Sequence, residues 1–302
     1  VILGDLRILQ RACTVLGVEA PVIPWEPGLP AVGRGIHVWP LTDLDPDSVP
    51  WGKPSALTGE SSFQYIVKGV AACLSSHLAG IVTAPISKLG LSLAGRPYPG
   101  HTEILASKTE TVRYAMMLAG DRLRVVLVTI HCPVREIASR LTIQAILETI
   151  ELTHRGLTED LGLIAPRIAV AGLNPHCGES GLFGDEEAST IAPAVKKAMR
   201  QGMEVSGPHP PDTVFLHALA GLFDAVVCMY HDQGLVPFKL VHFRNGVNVT
   251  LGLPIVRTSV DHGTAYDLAG TGTADCASLV AAVALAERIA ANRRCIPGSA
   301  GG

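Results

Sequence analysis

The chain has 302 residues, 48% hydrophobic and 17% charged, which is enough for one large core or two ordinary domains. A net charge of −3 excludes the broad basic footprint that nucleic-acid binding requires. No apolar run reaches membrane-span length, so the expectation is a cytoplasmic protein that takes a small ligand and neither nucleic acid nor membrane. So apolar a composition also predicts that a partner subunit covers part of the surface. Seven scattered cysteines, odd in number and without a C-x-x-C, argue against a disulfide framework and fit a reducing compartment.

In chain order, short apolar and β-branched runs predict strands at 1–3, 35–39, 80–83, 124–129, 167–171, 225–229 and 246–250. Helical periodicity falls at 5–16, 59–75, 134–140, 142–156, 185–201 and 275–292. The Pro- and Gly-rich stretch 19–54 predicts irregular structure around one strand, and 297–302 a flexible tail. Strand and helix alternate, which predicts an α/β fold with a largely parallel sheet. The start is unusual, because a strand with no lead-in is followed at once by a helix; the expectation is an incomplete record of a longer protein.

Three of the predicted strands run into a histidine: RVVLVTIH ends at His131, RIAVAGLNPH at His176, and DAVVCMYHDQ carries His231. Open α/β sheets hold ligands beyond the carboxyl ends of their strands. Three neutral imidazoles there suffice for a divalent metal with an open position. One strand-end histidine alone is more often a hydrogen-bonded structural residue; three at equivalent places shift the balance to a metal. Zinc suits such a set best, and cobalt, manganese or magnesium would also serve an open site. Asp232 follows His231 and is placed to orient an imidazole or to join the site.

TAPISK carries Lys88 after a strand, and PGHTE places His101 and Thr102 before a helical stretch. The latter suits a phosphate or carboxylate at a helix N-terminus, or equally a capping threonine with Glu103 in the first turn. Lys239 and Arg257 flank a strand that contains Asn248, and cations there are costly unless they meet an anion. The loop DHGTAYDLAGTGTAD holds His262, Gly263, Thr264, Asp267 and Asp275. It lacks the G-x-G-x-x-G fingerprint, and fits a dinucleotide loop or an ordinary helix cap.

TAPISK, PGHTE, GLNPHCGESGLFGDEE, MYHDQGLVPFK and GVNVTLGLPIVRTSVDHGT occur in this order over nearly the whole chain. On these motifs the chain resembles the 4-hydroxythreonine-4-phosphate dehydrogenase family of pyridoxal phosphate biosynthesis. The resemblance implies a two-lobed α/β/α subunit like isocitrate and isopropylmalate dehydrogenases, with its active site in the interlobe cleft at a dimer interface. The lobes are expected at 1–98 with 252–302, and at 99–251. It implies a homodimer with a shared site, NAD or NADP, and His131, His176 and His231 as metal ligands. His101, Thr102, Lys239, Asn248 and Arg257 would bind a small phosphorylated substrate. The segment from His262 to Asp275 would meet the dinucleotide; the general base is open between Lys239, Asp212 and a metal-bound water. The resemblance places the family's usual GDPxGIGPE-like segment before Val1. The expected reaction is oxidation of 4-phosphooxy-L-threonine. The rival readings are a dehydrogenase for a phosphorylated threonate, erythronate or dihydrodiol carboxylate, a metal-dependent hydrolase, and a binding protein.

Overall fold

The structure is a computed structural model that describes residues 1–295; the predicted tail 297–302 lies outside the described residues. The chain forms two compact units, one of residues 1–111 with 262–276, the other of 112–261 with the segment from Ala277 onward. The expected lobes kept 252–302 whole, whereas the contacts divide it: 262–276 goes with the first unit and the last helix with the second.

In the first unit, β1 (Ile2–Gly4) leads into α1 (Leu6–Leu16), then β2 (Val22–Pro24) and β3 (Ile36–Pro40). These strands pair in parallel in the order β1-β3-β2. Asp5 caps α1 by accepting from the Arg7 and Ile8 N–H groups, and its other oxygen accepts from Leu44 N–H and Thr42 Oγ1. Then come α2 (Ala56–Leu74), β4 (Gly80–Thr83), α3 (Lys88–Leu93) and α4 (His101–Lys108). α2 and α3 touch backbone to backbone at Gly59, where a Cβ would lie 1.9 Å from the Gly90 carbonyl oxygen.

The second unit holds β5 (Ala115–Ala119), β6 (Arg124–Leu127), α5 (Ile137–Arg140), α6 (Ile143–Arg155) and β7 (Ile168–Ala171). It continues with α7 (Ala192–Arg200), β8 (Val205–His209), α8 (Val214–Leu219), β9 (Ala225–Cys228) and α9 (His231–His242). β10 (Val247–Leu251), β11 (Val256–Val260) and α10 (Ala277–Arg294) complete it. Its strands pair in the order β11-β10-β5-β6-β9-β7-β8. Pairing is antiparallel from β11 to β6 and parallel from β6 to β8. Val125, Leu127, Val226, Cys228, Ala169 and Ala171 form a core with Val214 and Phe215 of α8 and Phe238 of α9. Each large side chain buried there contributes about 1.5–3 kcal/mol. The three histidine-bearing runs are therefore buried strands, as continuous apolar stretches in a parallel sheet should be.

Among the described residues, no helix is long and apolar enough to cross a membrane. Gly59→Ala should destabilise the protein by about 1–3 kcal/mol or more through overpacking, since backbone rather than a yielding side chain opposes the new methyl. Urea unfolding followed by circular dichroism would measure it.

Candidate active site

β6, β9 and β7 are adjacent and parallel, in that order, with Leu127 opposite Cys228 and Val170 opposite Val227. The strands therefore end at one level. His131 lies four residues beyond β6, His231 three beyond β9, and His176 five beyond β7. The His131 and His231 rings come together, with centroids 5.8 Å apart. His231 Nδ1 is 2.7 Å from the Asp232 carboxylate, so its Nε2 is the nitrogen presented outward. An imidazole held by a carboxylate is the usual arrangement for a metal ligand.

His176 stands apart from this pair. The strands carrying His131 and His176 are two interstrand spacings apart, roughly 10 Å. Among the described residues, no group of three or more His, Cys, Asp or Glu side chains is gathered closely enough to hold a metal ion. The chemistry of the donors fits a divalent metal, but one chain supplies two adjacent imidazoles and a third on a separate loop.

That loop is unusual. His176, Cys177, Gly178, Glu179 and Ser180 all have left-handed backbone, with φ of 50, 55, 76, 44 and 59°. Four of the five carry a Cβ, which costs about 1–2 kcal/mol each in this conformation. The loop is held at its base by the buried Glu187, whose Oε1 accepts from the Leu173 and Asn174 N–H groups, both at 2.7 Å. Asn174 Nδ2 donates to Glu187 Oε2 and to Glu186. Gly172 must be glycine, because a Cβ there would lie 2.8 Å from Cys177 Sγ and 3.1 Å from Glu187 Oε1. Burial, with the nearby Glu187 charge, pushes the Cys177 thiol up to about 11. Asp212, exposed in the turn after β8, adds a smaller effect of the same sign and so lies near this loop.

Two further buried side chains tie the strand ends together. Thr129 Oγ1 donates to the Met229 carbonyl at 2.7 Å, linking the ends of β6 and β9. Gln233 Oε1 accepts from Met229 N–H, and its Nε2 donates to the Gly172 carbonyl, both at 2.7 Å, linking β9 to β7. Sequence reasoning missed Thr129, Gln233 and Glu187. They lie inside the histidine-bearing motifs, but their partners are backbone groups that only strand order identifies.

The cationic residues sit on other elements. Arg257 is buried on β11, and its Nη1 donates to Asn248 Oδ1 at 3.3 Å and Thr250 Oγ1 at 3.0 Å. Lys239 lies on α9, eight residues after His231, which is about 12 Å along the axis. Its Nζ is 3.3 Å from the Asp261 carbonyl and 3.7 Å from the Asp261 carboxylate. In the first unit, His101 and Thr102 are the first two residues of α4, and Thr102 is buried. Gly100, not the threonine, is the cap, and no capping side chain bonds the first turn. Thr102 therefore does not play the capping role open to it from sequence, while Glu103 does lie in the first turn.

The segment with His262, Gly263, Thr264, Asp267 and Asp275 also belongs to the first unit. It is irregular, with Asp267 and Asp275 exposed, and it packs on Trp51, since a Cβ at Gly270 would come within 2.6 Å of that ring. His262 Nδ1 is turned to the Gly263 carbonyl. The helix expected from residue 275 starts at Ala277.

Residues 1–286 match the family model described as pyridoxal phosphate biosynthetic protein PdxA. The chain belongs to this family. A 4-hydroxythreonine-4-phosphate dehydrogenase of Desulfosudis oleivorans is 53% identical over 290 residues, covering 94% of this chain and 85% of that protein. A D-threonate 4-phosphate dehydrogenase of Salmonella typhimurium is 45% identical over 294 residues, 95% of this chain and 88% of that protein. The crystal structure of 4-hydroxythreonine-4-phosphate dehydrogenase from Klebsiella pneumoniae superposes with a TM-score of 0.87 at 42% identity, covering 95% of this chain and 89% of the other. The expected family and the α/β fold are borne out, and these relatives are named as dehydrogenases.

The thiol next to His176 should be chemically quiet. Alkylation at pH 7.5, mapped by mass spectrometry, should modify the exposed Cys276 and Cys295 well before Cys177 and the fully buried Cys228.

Proposed function

We propose that the protein oxidises 4-phosphooxy-L-threonine with NAD or NADP, giving 2-amino-3-oxo-4-phosphooxybutanoate, which decarboxylates to 3-amino-2-oxopropyl phosphate. The observation that carries this reading is the adjacent, level ending of β6, β9 and β7, each followed by a histidine, in a chain of this family. His131, His176 and His231 would hold a divalent metal, with zinc the best match to imidazole donors. When bound, the metal supplies Lewis-acid polarisation of the alcohol oxygen, and the dinucleotide accepts the hydride.

The protein's own groups bind and orient. The buried Arg257 guanidinium, its direction fixed by Asn248 and Thr250, suits the substrate carboxylate. His101, Thr102 and the start of α4 suit the phosphate, the helix offering N–H donors at its positive end. Lys239 is a base or an anion ligand; its contact with Asp261 holds the ammonium in place. Asp212, exposed near the His176 loop, is the alternative base. His262, Gly263, Thr264, Asp267 and Asp275 are proposed to meet the dinucleotide. The 45% identity to a D-threonate 4-phosphate dehydrogenase supports a second reading, in which a hydroxyl replaces the substrate amine.

Because one chain does not gather three donors, the site is proposed to be completed in a homodimer. Val236, Leu240 and Phe243 follow helical spacing along α9 and are 59, 83 and 80% exposed, an apolar stripe on the helix that begins with His231. Leu182 and Phe183, just past the His176 loop, are exposed as well.

Purified protein assayed for NADH or NADPH formation should turn over 4-phosphooxy-L-threonine with a higher kcat/KM than D-threonate 4-phosphate. The reverse order would favour the second reading, and product without dinucleotide would leave the hydrolase. His176→Ala and His231→Ala should each lose metal and at least a hundredfold in turnover, and full activity with retained metal would refute the ligand assignment. Leu240→Glu with Phe243→Glu should shift the protein from dimer to monomer in sedimentation equilibrium.

A further inference from the structure

We infer that Glu187 and Gln233 are positioning residues that fix where the His176 loop leaves the sheet relative to the His231 turn. Three consecutive polar backbone groups at the end of β7 are taken up by these two side chains. The Gly172 carbonyl accepts from Gln233 Nε2, and the Leu173 and Asn174 N–H groups donate to Glu187 Oε1, each at 2.7 Å. Both side chains are buried, with 6% of Glu187 and 8% of Gln233 exposed. The Gln233 amide cannot be reversed, because a backbone N–H meets its oxygen and a carbonyl meets its nitrogen.

The arrangement works as two linked clamps. Gln233 spans from Met229, two residues before His231, to Gly172, four residues before His176, so it sets one dimension of the separation between those imidazoles. Glu187 holds Leu173 and Asn174, and after Pro175 the five residues from His176 to Ser180 adopt left-handed backbone. Without the carboxylate, two partly buried N–H groups lose their acceptor at the point where the chain enters an unfavourable turn. Neither side chain has to touch substrate for this role. Gln233 bonds the segments leading into two candidate ligands, and Glu187 grips one of them where it leaves the sheet.

The inference rests on the reading of His176 and His231 as ligands, and its test is built to separate the two. Gln233→Met keeps the length and removes both hydrogen bonds. Glu187→Gln keeps one acceptor oxygen for Leu173 and Asn174 but sets a donor against Asn174 Nδ2, and Glu187→Leu keeps the bulk and removes every acceptor. Amide hydrogen exchange of the full-length protein should accelerate at least tenfold across 172–181 in Gln233→Met and Glu187→Leu. The amides of β6 and β9 should keep their wild-type rates. Co(II) affinity, measured by calorimetry, should fall 10–100-fold in both, and less in Glu187→Gln. Exchange that rises equally in β6 and β9, or loop exchange and Co(II) affinity both at wild-type level, would overturn the inference. If the wild-type protein takes up no Co(II), the ligand reading fails by itself, and the exchange pattern alone decides the positioning role.

Discussion

Parallel hydrogen bonding of β9 to β6 on one side and to β7 on the other sets the level at which three chain segments leave the sheet. Everything proposed for the site depends on that register. These strands are buried on both faces, so a slip of one residue would exchange side chains between two packed layers and shift the level of the histidine-bearing turn. The register is pinned from both ends. Burial of Val125, Leu127, Val226 and Cys228 beneath α8 and α9 fixes the strands, and the hydrogen bonds of Thr129 and Gln233 fix the turns that follow them.

A level sheet edge does not by itself bring three imidazoles to one point. β9 lies between the other two strands, next to both, yet among the described residues only the His131 ring comes to within ring-contact distance of His231. His176 sits on a longer excursion after β7, the first of five left-handed residues. The unfavourable backbone there is offset by Glu187, by the Asn174 side chain and by glycine at 172 and 178. Sparsely populated backbone of this kind persists where its surroundings over-determine it, and such places cluster at functional sites. The exposed apolar stripe on α9 stands beside this arrangement, on the helix that begins with His231.

Much of this was legible from residues alone. The runs that became β6, β7 and β9 announced themselves because strands buried on both faces are continuously apolar. Arg257 stood out as a cation in an apolar context, and the structure buries it. Other elements were hidden for physical reasons. β5 is built of Ala, Met and Leu, which carry little strand preference, and its place in the sheet decides its conformation. β11 is not among the predicted strands, since Arg257, Thr258 and Ser259 make VRTSV read as polar, yet all five of its residues are buried. α9 contains Pro237, which counts against a helix interior by about 3 kcal/mol. β8 contains Gly207 and Pro208, and β2 is three residues within a proline-rich stretch. Glu187, Gln233 and Thr129 were not legible because they act on backbone groups, and which groups those are depends on strand order.

The central claim is that one metal is held by imidazoles from all three strand ends. X-ray absorption at the zinc edge of the purified, zinc-loaded protein tests it most directly, because it counts and types the donors without reference to turnover. The account predicts three imidazole nitrogens at about 2.0–2.1 Å, with the remaining donors oxygen. A thiolate at about 2.3 Å, which would implicate Cys132 or Cys177, or fewer than three imidazoles per zinc, would contradict it.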